Sequence, residues 1–130
     1  MTNGEIALKL ANNLQVEQLL KTEWANQFNK YQLHYIRNGL KDNLDVSIYA
    51  KPELSCEQMR EIVNGLNLGF NMTKYASGDY SEDQLSQIVF GLADGLDVSE
   101  FDDVRMSAKQ MSTAKEFLKL GFDMNVYRHS

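Results

Sequence analysis

The chain has 130 residues, 43% of them hydrophobic and 24% charged, which predicts one domain with a real core. Thirteen Lys plus Arg against 18 Asp plus Glu give a net charge of −5, so no direct nucleic-acid contact is expected, because such affinity rests on neutralising phosphates. One proline and eight glycines exclude collagen-like and low-complexity classes, and the single Cys56 excludes an intramolecular disulfide and fits a reducing compartment.

In chain order, residues 1–28 come first. The N-terminal M-T-N-G-E-I-A lacks the basic and then apolar pattern of a signal peptide, and no apolar run approaches the roughly 20 residues of a membrane span. A cytoplasmic protein without membrane contact is therefore expected. T-N-G-E at 2–5 has the form of a capping box, and Ala7, Leu10 and Leu14 continue backwards the helical-face columns described next. L-L-K-T-E-W-A-N-Q-F then reads as a further amphipathic helix sealed by Trp24. The segment is read as an N-terminal cap of one or two helices.

From residue 29 the chain repeats with a period of 26. Gln32, Gln58, Gln84 and Gln110 mark the register, and each is followed by an apolar residue: Leu33, Met59, Leu85 and Met111. Ile36, Ile62, Ile88 and Ala114 follow at four residues after the glutamine, and Leu40, Leu66, Leu92 and Leu118 at eight. Leu44, Phe70, Leu96 and Phe122 stand at twelve, and Val46, Met72, Val98 and Met124 at fourteen. Tyr49, Tyr75, Phe101 and Tyr127 complete the set at seventeen. The units are 29–54, 55–80, 81–106 and 107–130.

Each unit specifies its own helix. Asn29, Ser55, Ser81 and Ser107 are N-cap types three residues before the glutamines, and the three serines make S-x-x-Q capping boxes. Phe28, Leu54, Tyr80 and Met106 precede the caps as hydrophobic-staple partners. A helix of about 13 residues is predicted, ended by a left-handed residue at Asn43, Gly69, Gly95 or Gly121. Asp45, Asn71, Asp97 and Asp123 then cap a second helix of one or two turns, and D-V-S-E at 97–100 resembles a capping box. Gly39, Gly65 and Gly91 sit inside the long helix, where glycine costs about 1 kcal/mol. Their repetition predicts close approach of the helix in the adjacent unit. One unit cannot bury its apolar face alone, so the expected fold is an all-α helical-repeat solenoid, a single domain over 1–130 with the cap at 1–28.

The string D-V-S-I-Y-A-K-P-E-L-S-C-E-Q-M-R-E-I-V-N-G-L at 45–66 resembles a short tandem repeat of poorly characterised gut-Firmicutes proteins, Q-M-x-x-I-x-x-G-L-x-x-G-L-D-V-S-x-Y-A. That resemblance covers about 29–130. It implies an accessory protein of a phage or mobile element and carries no catalytic residues. The fourth copy departs from it, with Phe117 in the glycine column and Ala114 in place of isoleucine.

Chemistry-bearing residues are sparse. His34, His129 and Cys56 have no metal-ligand spacing and no third group to orient a nucleophile. D-G-L-D-V-S-E-F-D-D at 94–103 lacks the alternating oxygens of a calcium loop. The tyrosine column is expected in the core rather than as a base-stacking platform. No cofactor, no metal and no enzymatic activity are therefore expected. Between Lys74 and Arg105 there is no Lys or Arg, while Asp79, Glu82, Asp83, Asp94, Asp97, Glu100, Asp102 and Asp103 accumulate. Asp94, Glu100, Asp102 and Asp103 are the candidate acidic patch for a basic partner. Tyr35 and Phe90, aromatics off the repeat's apolar face, are the candidate anchors.

Two functions follow. The leading one is a protein–protein interaction module whose variable outward side chains set specificity, with open apolar ends that permit a homodimer. The alternative is an acidic, anti-CRISPR-like inhibitor that occludes the basic channel of a host nucleic-acid-binding enzyme.

Overall fold

The computed structural model describes residues 20–121. Among these every regular element is helical, with no strand. Four α-helices recur at the predicted places: α1 Lys30–Lys41, α2 Cys56–Asn67, α3 Glu82–Ala93 and α4 Ala108–Lys119. Single 3₁₀ turns follow the first three, at Val46–Ile48, Thr73–Ala76 and Val98–Glu100. The predicted second helix is thus one turn, as the early arrival of the next cap requires. The expected helix over L-L-K-T-E-W-A-N-Q-F is corrected to a 3₁₀ helix at Glu23–Gln27. Among the described residues of that stretch only Ala25 and Phe28 are buried, a spacing of three that suits a 3₁₀ turn better than an α-helical stripe. T-N-G-E, Ala7, Leu10 and Leu14 at one end, and Phe122, Asp123, Met124, Tyr127 and His129 at the other, lie outside the described residues.

All four α-helices begin in a capping box, including α1, where Asn29 replaces serine. The cap side chain accepts from the glutamine backbone N–H, and the glutamine Oε1 accepts from the cap N–H at 2.8 Å in every copy. The first three end in full Schellman closures: Leu44, Phe70 and Leu96 donate to Gly39, Gly65 and Gly91, while the left-handed residue before each donates to Leu40, Leu66 or Leu92. Asn43 holds φ 59° where Gly95 holds φ 75°, a conformation asparagine tolerates best after glycine.

Asp45 and Asp97 each accept from the backbone N–H of Ser47 or Ser99, and Asn71 does the same for Thr73. The D-V-S-E capping box is not formed: Asp97 bonds Ser99, one position short of Glu100.

The mid-helix glycines are notches, but their occupant differs from the expected one. A Cβ on Gly39 would overlap the Tyr49 hydroxyl and lie 2.8 Å from Val46, and one on Gly91 would lie 2.6 Å from the Phe101 ring. At Gly65 the Met72 side chain fills the notch. The close approach is therefore the 3₁₀ turn of the same repeat, seven to ten residues on, rather than the neighbouring repeat's helix. This seats the tyrosine column in the core, with Tyr49 and Phe101 fully buried and Tyr75 buried. The Tyr49 hydroxyl donates to the Tyr35 carbonyl at 2.8 Å. Burial, reinforced by the Asp42 charge, pushes the phenol far above its ordinary range.

The chain forms two compact units, Met1–Gly78 and Asp79–Ser130, divided where the second repeat gives way to the third. In the first, α1 packs on α2; in the second, α3 packs on α4. The units also match at 52 residues, twice the repeat. Leu33 and Leu85 alternate with Met59 and Met111, Val46 and Val98 with Met72, and Asp42 and Asp94 with Leu68 and Leu120. The alternation is structural. Valine plus an aromatic ring fills the first notch of each unit, whereas a methionine fills the notch of the second repeat. The building block is a pair of unlike repeats.

The invariant glutamine joins the pair. Gln32 Nε2 donates to the carbonyls of Pro52 at 3.0 Å and Leu54 at 2.7 Å, on the chain leading into α2. Gln84 Nε2 does the same to Val104 and Met106 at 3.0 and 2.7 Å. One side chain thus caps its own helix through its oxygen and, through its nitrogen, holds the end of its own repeat where the chain leads into the next helix. A glutamate would serve the first task and fail the second, since a carboxylate has no donor.

Candidate functional site

The second unit carries the most differentiated surface. The seam between α3 and α4 is built from residues three, six and ten after Gln84, facing residues five and nine after Gln110. Lys115 is only 8% exposed. Its Nζ donates to Gln87 Oε1 at 2.9 Å and stands 5.3 Å from the centre of the Phe90 ring. One turn on, Lys119 Nζ meets Asp94 at 2.9 Å and Glu116 at 3.8 Å. The Lys119 ammonium, by donating to Asp94, holds that carboxyl below its ordinary range, and Asp94 raises Lys119 in return.

Phe90 remains 54% exposed over this polar floor. Its position is held by helix α3, by the buried Ile88 and Val89 beside it, and by the Lys115 ammonium over the ring. A large apolar side chain on a rigid element, exposed and backed by satisfied polar groups, is the form an interface anchor takes. The other expected anchor, Tyr35, is half-buried, with His34 edge-on to its ring at 5.1 Å. Its main fixed role is structural, as the carbonyl that receives Tyr49.

The four candidate carboxylates do not stand alike. Asp94 is ion-paired as described. Asp103 takes Arg105 through both carboxylate oxygens, the shortest contact being 2.8 Å, which raises the guanidinium further. Asp102 is only 8% exposed, and its carbonyl accepts the Tyr80 hydroxyl at 2.6 Å, so its place in an exposed patch is corrected. Glu100 is half-buried at the end of the 3₁₀ turn. A residue count treats these carboxylates as equal. The fold pairs two of them and buries a third.

Among the described residues no three His, Cys, Asp or Glu side chains converge to hold a metal ion. His34 Nε2 lies 3.2 Å from the Asn38 amide nitrogen, on the same helix. Desolvation, helped by Glu57, pushes the Cys56 thiol upward, away from thiolate. No helix among the described residues is long and apolar enough to cross a membrane.

Sequence reasoning missed the seam residues Gln87, Lys115 and Lys119. The signal was present: at five and nine residues after the glutamine, the first and fourth copies carry Arg37, Lys41 and Lys115, Lys119, while the middle copies carry Val63, Asn67 and Val89, Ala93. Comparison with family models, with characterised proteins and with solved structures gives no match.

Proposed function

We propose that this chain is a non-enzymatic protein-binding module, its four repeats continuing as one short solenoid, serving as an accessory protein of a phage or mobile element. The observation that carries the binding reading is Phe90, a half-exposed aromatic ring on a helix whose two ends and packed face are fully specified. Invariant side chains are committed to caps, clamps and notches, which leaves the variable outward positions to meet a partner. The acidic-inhibitor reading draws less support, since Asp94 and Asp103 are already neutralised by neighbours and Asp102 is buried. The test is capture from the source cell on immobilised wild-type chain and on Phe90→Ala, with helicity and melting compared. A specific partner retained by wild type and reduced about tenfold by Phe90→Ala at unchanged fold supports the reading. Equal retention by both overturns Phe90 as the anchor.

A further inference from the structure

The outer face of α4 carries a self-complementary pattern. Lys109, Thr113, Glu116 and Leu120 follow one another at i, i+4, i+7 and i+11, a single stripe along the helix and its C-cap. Three of these columns, at three, six and ten residues after the glutamine, are held on α3 by Gln87, Phe90 and Asp94, which receive Lys115 and Lys119 of the next helix. On α4 all four stripe residues are exposed, while Lys115, on the side that meets α3, is buried. Leu120, at 71%, is the most exposed large apolar side chain among the described residues.

The two charges of the stripe do not neutralise each other. Lys109 and Glu116 are seven residues apart, about 10 Å along the axis, and Glu116 is the only acid of α4. Glu116 is also the farther of the two carboxylates that Lys119 meets, at 3.8 Å against 2.9 Å for Asp94. A cation near one end of a stripe and an anion near the other have a direct complement, which is the same stripe run in reverse. An antiparallel copy set so that Lys109 faces Glu116 also sets Glu116 against Lys109. The two-fold axis then passes between Ser112 and Thr113, one residue from the middle of Ala108–Lys119, so the helices overlap almost end to end. Thr113, the stripe residue nearest the axis, is short enough for close approach. Leu120 reaches the residues that lead into α4 of the second copy, where Val104 is 44% exposed. A partner stripe of a single sign would instead meet a like charge at one end.

We propose that two copies of this chain pair through the outer face of α4, antiparallel about a two-fold axis, with reciprocal Lys109–Glu116 contacts and Leu120 at each end. The interface is isologous, so one self-complementary stripe supplies both halves and the assembly closes at two. A single helix face lies at the small end of interface areas, so the dimer is weak and its charges decide its register. The pairing goes beyond the Phe90 reading and fails separately from it, because the stripe lies on a different side of α4 from the seam that supports Phe90.

The test is analytical ultracentrifugation of the full chain over about 10–500 µM, the range that a small interface calls for. A monomer–dimer equilibrium is expected, weaker at higher salt. Lys109→Glu and Glu116→Lys each turn both contacts into like-charge pairs, and each should weaken the dimer at least about tenfold at unchanged helicity. An equimolar mixture of the two variants should dimerise again, because every contact across the mixed pair is then between opposite charges. The double variant carrying both substitutions should dimerise by itself for the same reason. Leu120→Ser should weaken the dimer without changing its salt dependence. A monomer at every concentration overturns the proposal and leaves the face to residues outside the described ones or to another protein. A dimer indifferent to the charge reversals overturns it, as does loss on reversal that neither the mixture nor the double variant restores. Loss on Phe90→Ala but not on Lys109→Glu would place the contact on α3, with the same consequence.

Discussion

The two units use one frame and two different seams. Both α-helix pairs have twelve-residue helices, capping boxes at each start and a glutamine that grips two carbonyls of the chain leading into the second member. Yet α2 offers Val63 and Asn67 where α4 offers Lys115 and Lys119, set against the columns of Tyr35, Asn38 and Asp42 in one case and Gln87, Phe90 and Asp94 in the other. Even the leading helices differ in sign, with Lys30, Arg37 and Lys41 on α1 and Glu82 and Asp83 on α3. Frame and seam are thus specified by separate columns. The polar frame tolerates a seam whose second helix carries a pair of cations or none, and this is what frees the seam and the outward faces to vary.

The sharpest test of the shared frame is Gln84→Glu. The carboxylate keeps the capping-box acceptor but loses both donations and faces the Val104 and Met106 carbonyls. Two lost bonds and an acceptor set against two others should cost about 3 kcal/mol at neutral pH. Gln32→Glu should cost about the same, which makes the two units equivalent in this respect. The carboxyl introduced in place of the Gln84 amide has its folded pKa raised, because only its protonated form can donate. The folded state of the variant then binds the proton more tightly than its unfolded chain, so the deficit shrinks as pH falls from about 7 towards about 4. Urea unfolding of the variant at both ends of that range checks the sign. A deficit independent of pH would show that the nitrogen contacts do not matter.

The notches separate the two kinds of repeat within a unit. Gly39→Ala sets a methyl group against the fixed, hydrogen-bonded Tyr49 hydroxyl and against Val46. About 1–3 kcal/mol of overpacking should exceed the roughly 1 kcal/mol that alanine gains in a helix. At Gly65 the obstacle is the buried Met72, whose unbranched side chain has more rotamers in which to repack than a hydrogen-bonded ring, so Gly65→Ala should cost less than Gly39→Ala. Thermal unfolding of both variants measures the difference. Equal losses would mean that valine-plus-ring and methionine fillings are equally rigid.

Local chemistry made most of the frame legible in the sequence. The caps, the left-handed closures and the glycine notches are each written within a few residues, and each lies where the 26-residue register puts it. Whatever depends on distance through space was not legible in the same way. The glutamine read as a capping residue alone, because its second task reaches 20 and 22 residues ahead. The invariance of glutamine over glutamate was the clue, since only the amide can donate. The acidic stretch around Asp94 read as a patch because its cations come from elsewhere: Lys119 arrives from the next helix, and Asp102 turns inward beside Phe101. Phe90 was legible as an oddity of its column, and its Lys115 floor was not.

Grafting the first unit's uncharged Val63 and Asn67 columns onto the second unit gives the smallest effects and the finest reading of the contrast. Lys115→Val removes a buried cation whose attraction to Gln87 and Phe90 roughly offsets its desolvation, so stability should change by less than about 1 kcal/mol. Lys119→Asn, the residue type of the first unit, acts first on Asp94, at 2.9 Å, and less on Glu116, at 3.8 Å. With Lys119 in place the folded Asp94 pKa is depressed, so the pair's contribution is present above the unfolded carboxyl pKa and is lost as pH falls through the folded one. In the variant that acid-side loss disappears, and the Asp94 carboxyl should return to its ordinary range when titrated by NMR. An Asp94 pKa unmoved by the substitution would mean that solvent, rather than Lys119, sets its protonation, and the two seams would then differ in packing but not in charge.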